Sequence, residues 1–107
     1  MLRIYPVAME MIGGLADVVE VIERRDRDLG RQMRRALASV GLNLAEGMGN
    51  VGGHKRERYQ SALGSAREVR AGIEVARALR YVGAVDAGAL DRLEHVIATL
   101  IQLVRPR

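Results

Sequence analysis

Residues 32–69 read QMRRALASVGLNLAEGMGNVGGHKRERYQSALGSAREV, and this stretch decides the fold. Two helical patterns flank a loop. Before the loop, Met33, Ala36, Leu37, Val40 and Leu44 recur at spacings of three and four, which lines them along one face of a helix; Leu29 extends that face backwards. After it, Tyr59, Ala62, Ala66 and Val69 do the same, continued by Ile73, Ala76 and Leu79. Between them GMGNVGG, residues 47–53, holds four glycines in seven positions and reads as a flexible connection. Gly47 is expected to close the first of these helices in the left-handed conformation.

Outward from this pair the pattern repeats. Ala8, Met11, Ile12, Leu15, Val18, Val19 and Ile22 form a stripe that Gly13 and Gly14 weaken in the middle, by up to about 1 kcal/mol each relative to Ala. ERRDRD, residues 23–28, nets to zero charge and reads as a solvated connection. At the other end Gly83 is expected to stop the third helix, and Asp86 to cap a fourth carrying Leu90, Leu93, Ile97, Leu100 and Val104 before Pro106. The expectation is an all-α chain. One domain over residues 1–107 would be an antiparallel up-down-up-down four-helix bundle, with helices near 5–25, 29–46, 54–82 and 86–104.

Composition narrows the chemistry. The 107 residues are 49% hydrophobic, 28% charged and 3% aromatic, with no Cys, Trp or Phe. That apolar share argues against disorder, and two Pro with three Tyr argue against a sandwich or barrel. No Cys means no disulfide framework and no thiolate zinc site. The longest nearly apolar stretch, Val96 to Val104, is nine residues, short of the roughly 20 a membrane span needs. MLRIYPVAME lacks the apolar run of a signal peptide, so a cytoplasmic location without membrane contact is expected.

Polar residues cluster on the two central helices. Arg35, Ser39, Asn43 and Glu46 follow one another at about one-turn intervals. On the third helix Ser61, Ser65, Glu68 and Gly72 share an arc of roughly 60°, with Gly64 beside them. Small residues there would let two backbones approach, and Glu68 would pair with an Arg of the second helix. This reads first as a half-buried polar network that fixes helix register. Glu46 and Glu68 are the one candidate acid pair for an enzyme, and no nucleophile with an adjacent base accompanies them. His54 and His95 lack the Glu-x-x-His spacing of a carboxylate-bridged metal site. The glycine loop lacks the Gly-Lys-Ser/Thr ending of a phosphate cradle. No catalytic residue, cofactor or metal is therefore expected.

The chain carries 16 Arg against one Lys and nets +4. Residues 1–29 net −2, residues 30–47 net +2 and residues 48–80 net +4, so the excess falls on the second and third helices. Arg56, Arg67, Arg70 and Arg77 lie within an arc of roughly 80° that only Glu74 interrupts. Such a stripe suits phosphates, whose contacts release counterions. It equally suits a solvated face, and none of the three tyrosines is interleaved as a stacking platform.

The segment quoted at the outset resembles the signature of the four-helix-bundle family named after proteins encoded in 23S rRNA intervening sequences. The family pattern runs through Arg35, Ala36, Ser39, Asn43, Ala45, Glu46 and Gly47, then a glycine-rich loop, then Gly64, Ser65 and Glu68. Its usual Ser-Ile stands here as Ser39-Val40, and its early aromatics are reduced to Tyr5 and Tyr59. The resemblance implies a protomer that assembles into a homopentameric ring, with no known enzymatic activity. It also relates the chain to the accessory protein of diversity-generating retroelements, a basic pentameric barrel that binds a reverse transcriptase and nucleic acid. Five copies would raise +4 to about +20 per ring. The expected function is a non-catalytic oligomeric scaffold that binds RNA, DNA or a nucleic-acid-processing enzyme through Arg56, Arg67, Arg70 and Arg77. The alternative is a protein–protein adaptor whose arginines serve subunit contacts.

Overall fold

Apolar side chains at helical spacing become the inner faces of four helices: α1 (Ile4–Arg25), α2 (Arg27–Gly49), α3 (Gly53–Ala78) and α4 (Ala87–Val104). The computed structural model describes residues 2–49 and 53–106, and no strand occurs among them. Val51 and the other residues at 50–52, the middle of the glycine loop, lie outside the described residues. Helix α1 packs on α2 and α4, and α3 packs on the same two, so the four enclose one core within 43 × 24 × 21 Å. Met11, Leu15, Ile22, Met33, Leu44, Leu93 and Leu100 are fully buried there. Each contributes about 1.5–3 kcal/mol against exposure, which is what holds helices of modest intrinsic propensity together.

The first connection is shorter than its charge suggests. Only Asp26 leaves the helical conformation, at φ −150° and ψ 99°; the rest of ERRDRD is helical. Glu and Arg are good helix formers, so a charged run need not be a loop. The Asp26 N–H donates to the Ile22 carbonyl at 2.7 Å, and its Oδ1 accepts the Leu29 N–H at 3.0 Å, ending one helix and capping the next. So sharp a corner forces the helices together at Gly30. A Cβ there would lie 2.5 Å from the Glu23 Cα, against backbone that cannot move aside.

Gly47 does not end α2. It is helical and buried, and a Cβ on it would run into the Tyr59 ring, so glycine is required for close approach rather than for a left-handed turn; α2 continues to Gly49. The end of α3 differs from expectation too. Arg80, not Gly83, takes the left-handed conformation, with φ 63°. The Arg80 N–H donates to the Arg77 carbonyl at 3.0 Å and the Tyr81 N–H to the Ala76 carbonyl at 2.8 Å, the paired bonds of a Schellman closure. Leu79 thereby falls outside the helix and is 54% exposed instead of joining the core stripe. At α4 the Asp86 Oδ2 accepts the Ala89 N–H at 2.9 Å, the cap read from the sequence.

Candidate nucleic-acid interface

The polar residues of α2 and α3 meet in a short seam. Ser65 Oγ donates to Ser39 Oγ at 2.8 Å, and Asn43 Nδ2 donates to both the Ser39 carbonyl and Ser39 Oγ at 3.0 Å. One turn on, Glu46 receives Arg58 of α3 at 2.9 Å, an ion pair with both side chains about half exposed. Gly72 continues the seam by admitting Met33, whose Cγ would lie 2.7 Å from an added Cβ. Gly64 meets nothing within 4 Å, and so does not bring backbones together.

Glu68 does not find its expected arginine. Among the described residues it makes no ion pair, and it borders a shallow pocket with Leu29, Gln32, Met33 and Val75, towards the other end of α2 from Glu46. The two carboxylates therefore share no cleft. Arg35 and Ser61 are exposed. Among the described residues no three His, Asp or Glu side chains gather as a metal site requires. His54 is exposed, with Glu57 at 3.8 Å; His95 is exposed beside Arg3 and Thr99.

The four arginines of α3 fare differently from one another. Arg56 Nε donates to the Val104 carbonyl at 2.8 Å, a cation on the C-terminal carbonyls of α4 where the helix dipole favours one. Arg70 Nη1 lies 3.1 Å from both carboxylate oxygens of Glu94. Arg67 and Arg77 are exposed, and among the described residues no carboxylate lies within 4.0 Å of either guanidinium. Arg70 and Arg77 border an open cleft of about 650 Å³ between α3 and α4, floored by Ile73, Ala78, Leu90 and Leu93 and edged also by Glu74 and Glu94.

The family profile of the 23S rRNA-intervening sequence proteins matches residues 1–102. The chain belongs to that family. No curated protein matches it. In this family member the motif residues Ser39, Asn43 and Ser65 bond to one another, while Glu46 and Gly47 meet Arg58 and Tyr59 of α3.

Sequence spacing missed three partners. Arg58 and Glu94 approach from other helices, and nothing in the local pattern marks such pairings. The third is Tyr81, whose hydroxyl donates to Asp26 Oδ2 at 3.2 Å while Arg25 sits 5.9 Å from its ring centroid, tying the α3–α4 connection to the α1–α2 corner. Partial burial, then the Asp26 hydrogen bond and charge, push the Tyr81 phenol above its usual pKa, with Arg25 opposing. Burial alone does the same for Tyr59. Its hydroxyl is enclosed with no partner among the described residues.

Proposed function

We propose that the chain is a non-catalytic, oligomeric helical scaffold that binds RNA or DNA through the arginine-rich face of α3. The observation that carries this reading is Arg67 and Arg77: two exposed guanidiniums on one helix face with no acid within 4.0 Å among the described residues. An unpaired cation is free to displace counterions from a phosphate, whereas one held by a carboxylate is largely spent. The family's name associates its members with ribosomal RNA genes. Its resemblance to the accessory protein of diversity-generating retroelements adds a reverse transcriptase as the protein partner to test.

The reading takes the protomer as one antiparallel up-down-up-down bundle. Support comes from contact order along α1 and α2: Glu23 meets Arg34, Met9 and Ile12 meet Gly41, and Leu2 meets Met48. It takes the assembly as a homopentameric ring in the cytoplasm. No helix among the described residues is long and apolar enough to cross a membrane.

One observation favours the second reading, a protein–protein adaptor. Tyr5, Met9, Ile12, Ala38, Leu42 and Ala45 line an apolar groove between α1 and α2, and Leu42 is 65% exposed. That groove serves subunit assembly in the first reading and a foreign protein in the second. Light scattering with mobility shifts across a salt series separates them. An oligomer whose nucleic-acid affinity falls steeply with salt is expected; an oligomer with no salt-dependent binding leaves the adaptor.

A further inference from the structure

The cleft between α3 and α4 is too apolar for a phosphate track and too charged for a core defect. At about 650 Å³ it falls within the roughly 300–1,000 Å³ of small-ligand sites. Its floor is aliphatic: Ile73, Ala78, Leu90 and Leu93. Its edge offers Arg70 and Arg77, two helical turns or about 10.5 Å apart along α3, with Glu74 between them and Glu94 opposite.

Arg70 is the informative group. Glu94 offsets its charge in part, with Nη1 3.1 Å from both carboxylate oxygens and the two side chains about half exposed. A guanidinium already engaged by a carboxylate is a weaker phosphate ligand, while its delocalised plane still stacks on aromatic rings. Glu74 repels phosphate but accepts hydrogen bonds from the ring and exocyclic N–H groups of a base. The ring faces and ring N–H groups are stacked and paired in a duplex and open in a single strand, whereas exocyclic amines keep one hydrogen in the duplex major groove.

We infer that this cleft receives an unpaired base of a single-stranded nucleic acid, stacked on the Arg70 guanidinium, while Arg67 and Arg77 hold the flanking phosphates. The inference rests on the nucleic-acid reading above and sharpens it: single strands are the preferred ligand, and Arg70 acts as a platform rather than as a charge.

The test is fluorescence anisotropy with a fluorescein-labelled single strand of 12 mixed-sequence nucleotides and the same sequence as a duplex, across a salt series. The full-length protein is compared with Arg70→Lys, Glu94→Ala and Arg77→Ala. Arg70→Lys keeps the charge and loses the plane, so single-strand affinity should drop about tenfold with its salt slope unchanged and duplex affinity intact. Glu94→Ala removes a negative charge, so a purely electrostatic surface would bind more tightly. A platform that has lost its brace binds the single strand more weakly. Arg77→Ala should weaken both ligands and reduce the salt slope by about 1. Wild-type single-strand affinity in Arg70→Lys, or tighter binding by Glu94→Ala, overturns the platform while leaving the nucleic-acid reading standing. If neither oligonucleotide binds the wild-type protein at low salt, both fall.

Discussion

At Arg80 the chain turns through φ 63° with a side chain that disfavours that conformation. The two hydrogen bonds of the closure compensate for the strain, and glycine would make them without it. Arg80→Gly should therefore stabilise the fold by about 1 kcal/mol, offset in part by glycine's greater freedom when unfolded. Thermal melts at fixed protein concentration should show a rise of about 4 °C; a fall would mean that the Arg80 side chain contributes something the geometry does not reveal. The tyrosines make a second prediction. Because folding raises the pKa of Tyr59 and Tyr81, their stabilisation is fully present below the ordinary phenol range and is lost as pH rises through the folded values. The melting temperature should fall above about pH 10. Tyr81→Phe should blunt that fall, and an unaltered alkaline profile in the variant would remove Asp26–Tyr81 as its source.

Among the elements, the inner stripes of all four helices were legible because burial imposes a period that needs no partner to be read. Met11 and Leu15, Met33 and Val40, Ala62 and Val69, Leu93 and Leu100 are all enclosed. The seam was half legible. Ser39 and Asn43 lie one turn apart and bond directly, but Ser65 had to be matched to them across helices, and Glu68, read as a member, makes no ion pair among the described residues. What the pattern could not carry was contact between distant residues, as at Gly30 against Glu23, Gly47 against Tyr59, and Arg70 against Glu94. The connections misled for a related reason: charge in ERRDRD marked exposure, and exposure is common to loops and outer helix faces. One consequence belongs to this scale. Asp26 caps α2 and also anchors Tyr81, so Asp26→Ala should destabilise by about 2 kcal/mol, more than the roughly 1 kcal/mol of a typical cap, while Asp26→Asn retains most of the cap. Denaturant unfolding of both variants checks this, and equal losses would show that the carboxylate charge, not the cap, is what matters.

For the whole molecule, a net charge of +4 on 107 residues is modest, and its effect depends on how copies are arranged. The groove between α1 and α2 is the surface on which assembly is proposed, and Leu42 is its most exposed large apolar side chain at 65%. Leu42→Asp should reduce the mass seen by light scattering to that of one 11.7 kDa chain, with helicity by circular dichroism unchanged. An unchanged assembly would move the subunit contact elsewhere. On the arginine face of α3 the charge of Arg70 is offset by Glu94 and Arg56 is engaged by the Val104 carbonyl, so among the described residues Arg67 and Arg77 are the two without a partner. The most direct measurement is the dependence of single-strand affinity on salt for the wild-type protein and for Arg67→Ala/Arg77→Ala. Two lost phosphate contacts per chain should weaken binding and flatten the logarithmic salt slope by about 1–2 for each chain engaged. Equal affinity and equal slope in the two proteins would contradict the account.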